Sequence, residues 1–164
     1  MNIEVKIPIK TYLKKFISKN HSVEPFIIST GKCHLSALIL DPIKKDFSKP
    51  TLKVDKEVYT DLRIVVPTNS NKFWFDEETV LRINQRLKSM FDQQLCDMVS
   101  ITNERKGDIF KRVKEFTDYY NITEDELKFE TIVKMYYRAR YPEEREKLIK
   151  EEMNRYEQLS LFSA

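Results

Sequence analysis

Two glycines in 164 residues, Gly31 and Gly107, leave this chain few places where the backbone can turn left-handed or close around a phosphate. That scarcity argues against a loop-rich architecture and against a glycine-lined nucleotide site. The stretch Ser29-Thr30-Gly31-Lys32 has one glycine and no second one at the upstream distance of a phosphate loop. The fold must then come from strands and helices, and the periodicity of apolar residues decides which.

Ile3, Val5 and Ile7 alternate with Glu4 and Lys6, the period of a half-buried strand, which Pro8 is expected to close. A helix is predicted over 10–19, with Ile9, Tyr12, Leu13, Phe16 and Ile17 on one stripe and Lys10, Lys14, Lys15 and Lys19 outside it. A second strand is predicted near Pro25 to Ser29, then a short helix through Leu35, Leu38, Ile39 and Ile43, a loop over 46–57, and a third strand over 58–66 ended by Pro67. After the aromatic cluster Phe73-Trp74-Phe75 the period changes to 3.6. Asp76 is expected to cap the longest helix, with Glu77 and Glu78 in its first turn and Ile83, Leu87, Met90, Phe91, Leu95 and Met98 inside. Asp108 should cap the next helix, with Ile109, Val113, Phe116 and Tyr120 inward. A Thr123–Glu126 capping box should start another, with Phe129, Ile132, Val133 and Tyr136 inward, joined to its predecessor by the tight turn Asn121-Ile122-Thr123.

These elements describe an α+β protein: a small N-terminal unit of strands and helix with about three strands, then a helical half containing a helix-turn-helix-like pair. The expected organisation is a mixed unit over 1–75, a helical unit over 76–141, a projecting helix over 142–157 and a docking tail over 158–164. Pro142 and the acidic residues after it start that projecting helix, whose apolar stripe of Leu148, Ile149, Met153 and Tyr156 is narrow.

Hydrophobic residues at 41% and charged residues at 34% belong to a globular chain. No apolar run approaches 18 residues, and Met1-Asn2-Ile3-Glu4-Val5-Lys6 lacks the layout of a signal peptide, so the expected place is the cytoplasm, with no membrane partner. Cys33, Cys96, His21 and His34 have no metal-ligand spacing, so neither a metal nor another cofactor is expected. No nucleophile–base set carries a defining local motif, and pairs such as Glu77-Glu78, Glu143-Glu144 and Glu151-Glu152 suit helix starts and solvated faces, so the protein is not expected to be an enzyme.

The formal net charge of +3 is mild, so contact with nucleic acid has to come from local patches. The opening twenty residues are one, through Lys10, Lys14 and Lys15. A second lies on the predicted helix pair: Lys111 and Arg112 on the first helix, and Lys128, Thr131, Lys134, Arg138 and Arg140 along the second, at spacings that suit a groove or a phosphate backbone. Acidic residues from Glu115 to Glu130 bring that second patch near neutrality. The layout of Phe116 to Arg140 is similar to the helix-turn-helix of the bacterial replication initiator's DNA-binding domain, with no individual residue carried over. Tyr136, Tyr137 and Tyr141 beside Arg138 and Arg140 form a candidate stacking platform for unpaired bases, against the alternative of half-buried tyrosines.

The last seven residues are Gln158-Leu159-Ser160-Leu161-Phe162-Ser163-Ala164, a short apolar hook. Gln-Leu-Ser-Leu-Phe resembles, residue for residue, the pentapeptide by which many bacterial DNA polymerases and repair proteins bind the replication sliding clamp. The resemblance implies that Gln158 bonds a polar shelf, that Leu159 and Ser160 lie extended, and that Leu161 and Phe162 fill an apolar pocket. The expectation is a DNA replication or repair accessory protein recruited to the sliding clamp of a bacterial or phage-infected cell. Two alternatives stay open: a self-assembling or virion-associated interaction protein whose tail docks on a neighbouring copy, and a helix-turn-helix transcription regulator.

Overall fold

The computed structural model describes residues 2–21, 24–27, 59–67, 77–100 and 109–141. Among them lie a three-stranded sheet and four helices, a mixed α+β fold. In chain order these are β1 (Asn2–Lys10), α1 (Thr11–Asn20), β2 (Phe26–Ile27), β3 (Tyr59–Pro67), α2 (Glu77–Ser100), α3 (Ile109–Tyr120) and α4 (Phe129–Arg140). The chain divides into two compact units, Met1–Phe91 and Asp92–Ala164, with the division inside α2. The predicted helix through Leu35 to Ile43, the caps Asp76 and Asp108, the Phe73-Trp74-Phe75 cluster, the helix after Pro142 and the Gln158–Phe162 hook lie outside the described residues.

In the first unit the sheet order is β1-β3-β2. β1 and β3 are antiparallel and in register from Asn2↔Pro67 to Lys10↔Tyr59, and β2 runs parallel to β3 at Phe26↔Ile64. Alternation puts Ile7, Ile9, Leu62 and Ile64 on the buried face. The strand does not stop at Pro8, as the sequence suggested, but continues two residues further. Asn84 of α2 explains this. Its Nδ2 donates to the Pro8 carbonyl at 3.0 Å and its Oδ1 accepts the Lys10 N–H at 3.1 Å, both on the side of β1 away from β3. The proline nitrogen shares that outward side with its own carbonyl, so no bond to β3 is lost. Asn84 also donates to the Val80 carbonyl at 2.9 Å, and a side chain only 7% exposed thereby closes part of the sheet edge.

Because Lys10 is still extended (φ −61°, ψ 138°), α1 begins one residue later than its apolar spacing suggested. Tyr12, Leu13, Phe16 and Ile17 face inward. The rings of Tyr12 and Phe16 meet Phe91 edge-on, at 5.1 Å and 5.5 Å between centroids. Lys14 binds the outer side of α1 to the sheet: its Nζ donates to the Asp61 carbonyl at 2.7 Å and lies 3.2 Å from Glu24.

The buried residues of α2 are Thr79, Val80, Ile83, Asn84, Leu87, Phe91, Leu95 and Val99, while Met90 and Met98 are half-buried. Steps of four residues from Ile83 to Val99 rotate the buried line by about 40° each, which carries it off the constant stripe that would have included both methionines.

In the second unit α3 buries Ile109, Val113, Phe116 and Tyr120, as its spacing predicts. It ends in a Schellman motif. Asn121 is left-handed at φ 54°, its N–H reaches the Asp118 carbonyl at 3.2 Å, and the Ile122 N–H reaches the Thr117 carbonyl at 2.9 Å. Asparagine tolerates this conformation better than other residues with a Cβ, which is how the chain ends the helix without glycine. The Thr123–Glu126 box forms one half of its expected pair, the Thr123 N–H donating to the Glu126 carboxylate at 3.0 Å. It closes a separate turn, however, through Leu127 N–H to Thr123 carbonyl at 3.0 Å. Lys128 then extends (ψ 135°), the Phe129 N–H donates to the Glu124 carboxylate at 3.2 Å, and α4 begins there. The link between the helices is therefore residues 121–128 instead of a three-residue turn.

Candidate nucleic-acid interface and docking segment

On α4 the buried residues Ile132, Val133, Met135, Tyr136 and Tyr137 cover a broad arc, leaving Glu130, Thr131, Lys134 and Arg138 as the outward stripe. Thr131, Arg138 and Arg140 are exposed and Lys134 is half-buried beside Glu130, which it contacts directly. That contact, first by hydrogen bond and then by charge, holds the Glu130 carboxyl below its usual range. On α3, Lys111 is exposed, Arg112 lies 2.8 Å from Glu115, and Lys114 lies 3.3 Å from Asp118. Lys128 is exposed at the start of α4. Such exposed i,i+3 and i,i+4 pairs are too weak to keep a phosphate away, but they neutralise the local field. Residues 109–141 hold seven basic and six acidic side chains, so this surface offers little net attraction to a polyanion.

The tyrosine platform does not form as a group. Tyr136 and Tyr137 are fully buried with their rings 5.4 Å apart, and Tyr141 alone is exposed, 6.1 Å from Tyr137. The width of the buried arc is the reason: adjacent positions 136 and 137 both fall inside it. No known protein family, curated protein or solved structure matches this chain.

In the first unit, Lys10 and Lys15 are partly exposed, and Lys14 is committed to Asp61 and Glu24. Two residues that sequence reasoning passed over stand close by. Arg63 of β3 is directly opposite Lys6 of β1, with Glu4 at 3.7 Å and Glu24 at 4.0 Å. Its only sequence signal is its outward place in the period of two. Asn84 is the other, a polar residue next to Ile83 on a buried stripe. Among the described residues no group of three or more His, Cys, Asp or Glu side chains is placed to hold a metal ion, and no helix is long and apolar enough to cross a membrane.

The Cys96 thiol is half-buried on α2. Burial first, then the Asp92 and Asp97 carboxylates, push its pKa up, and Arg140 opposes them. Its thiolate should form later than that of a free thiol, so in a Cys33→Ser background alkylation at pH 8.5 is expected to be several-fold slower than for a short cysteine peptide. Arg140→Gln should slow it further; equal rates would contradict the shift. A raised folded pKa also means that stability from the neutral thiol is full below the unfolded value and falls as pH rises through the folded one.

Proposed function

We propose that this protein is a non-enzymatic accessory factor of bacterial or phage DNA metabolism, recruited to the sliding clamp through Gln158, Leu159, Ser160, Leu161 and Phe162 and contacting DNA through its basic helices. The five-residue spelling Gln-Leu-Ser-Leu-Phe carries this reading. Extended peptides held in a groove gain specificity from side-chain pockets. Filling one with Leu161 and Phe162 contributes about 1.5–3 kcal/mol for each side chain. Offset by the ordering of a short segment, that gives a weak docking contact. Weak docking suffices where a second contact to DNA raises the effective concentration. The place of action is the cytoplasm, where the clamp is.

The test is binding of the full-length protein to an immobilised bacterial clamp, beside a Leu161→Ala, Phe162→Ala variant. Losing both anchors should weaken binding by roughly a hundredfold or more. No binding by the wild type, or equal binding by the variant, defeats the proposal. If removing 158–164 instead changes the mass of the protein in solution, the segment docks on another copy.

A further inference from the structure

The positive charge of this chain is concentrated in one stretch. Residues 5–23 hold five lysines and no acid, so of the 29 basic and 26 acidic residues the remainder keeps 24 against 26. The fold gathers these lysines. On α1 the apolar residues Tyr12, Leu13, Phe16 and Ile17 point inward, so the outward side is Thr11, Lys14, Lys15, Ser18 and Lys19. Lys6 lies on the exposed face of the sheet, directly across from Arg63. Glu24 joins the two regions, lying 3.2 Å from Lys14 of α1 and 4.0 Å from Arg63 of β3. Glu24 therefore brings the Lys14 side of α1 next to the Arg63 side of the sheet. Like charges directly opposite on a strand pair are unfavourable. Glu4 and Glu24 answer Arg63, while Lys6 has no ionic partner among the described residues.

Building on the DNA-metabolism reading, we infer that this face of the first unit, through Lys6, Lys10, Lys15, Lys19 and Arg63, takes the phosphate backbone of DNA. It supplies what the near-neutral helix pair lacks, a net positive field, and phosphate contacts of this kind carry no sequence preference. A lipid surface fits less well, because the apolar side chains of α1 are buried in the protein's own core and the sheet offers a membrane one exposed large apolar side chain among the described residues, Ile27 of β2.

The experiment is binding of the full-length protein to a 30-base-pair duplex between about 50 and 200 mM salt, where each lost phosphate contact reduces the slope of log K against log salt by about 0.9. Lys6→Gln with Lys15→Gln and Lys19→Gln should reduce that slope by about 2–3 and weaken binding tenfold or more at the lower salt. Lys6→Gln with Lys19→Gln, both at exposed positions, should reduce it by about 2 if the triple variant does not fold. Lys111→Gln with Arg138→Gln removes charge from the second unit for comparison. If the wild type binds and the first-unit variants keep its slope, or if the Lys111/Arg138 variant takes the loss, this inference fails and the DNA reading stands. If the wild type binds no DNA at 50 mM salt, the reading beneath it fails too. Binding to phosphatidylserine vesicles but not to duplex would overturn the assignment in favour of a membrane.

Discussion

Phe91→Ala is expected to lower the stability of the sheet-bearing unit by about 3–5 kcal/mol, the range for removing a large aromatic side chain from a closed core. Phe91 is fully buried, and both Tyr12 and Phe16 point their rings at it edge-on. Each such aromatic pair adds about 0.5–1.5 kcal/mol beyond the area it buries, and both are lost together. Set against the roughly 5–15 kcal/mol that holds a typical domain, this is at least a fifth of the total. Phe91→Leu keeps most of the volume and should cost less than half as much. Urea unfolding measures the difference, provided the m-value is unchanged; a loss below about 1 kcal/mol for the alanine variant would mean that the three rings do not share a core.

The second large effect is expected at Asn84. Asn84→Leu retains the size of the side chain but removes the partners of the Lys10 N–H and the Pro8 carbonyl at once. Each buried polar group left without a bond costs about 1–3 kcal/mol, so about 2–4 kcal/mol should be lost. Asn84→Asp separates the two roles, since a carboxylate can still accept from Lys10 but cannot donate to Pro8 or Val80, and it brings a charge into a buried place. Hydrogen exchange gives the sharper readout. The Lys10 amide should exchange at least tenfold faster in the leucine variant, with the β1–β3 amides changing only as far as global stability does. An unchanged Lys10 amide would show that the bond from Asn84 does not protect it.

Burial that repeats along one element was legible in the sequence, because the period of two or 3.6 is written in neighbouring residues. The stripe of α1 from Tyr12 to Ile17, the stripe of α3 and the alternation of β1 and β3 are of this kind, whereas Ile9, which its spacing assigned to the helix, belongs to β1. What depends on a distant element was not. Whether Pro8 ends a strand depends on which of its edges faces β3, and the answer comes from Asn84, 76 positions away. The capping box at Thr123 was correctly spelled, yet spelling does not reveal that Lys128 resets the backbone before α4 starts. Tyr136, Tyr137 and Tyr141 looked like a stacking platform because Arg138 and Arg140 stand beside them, although the spacing also put Tyr136 inward, and the buried arc is wide enough to take both Tyr136 and Tyr137. On the candidate DNA surface, the excess of lysine in the first twenty residues was visible at once. The pairing of Lys6 with Arg63 needed the strand register, and Lys14 proved to be fastened to Asp61 and Glu24.

The outer margin of β1 has a bearing on how crowded a solution this protein tolerates. A strand from another molecule sliding alongside would meet a proline with no hydrogen to give at position 8, an amide already engaged at position 10, and the charge of Lys6 between them and the strand's beginning. Ladder growth from molecule to molecule stalls on such a margin, so this stretch of β1 is a poor template for a strand of another copy.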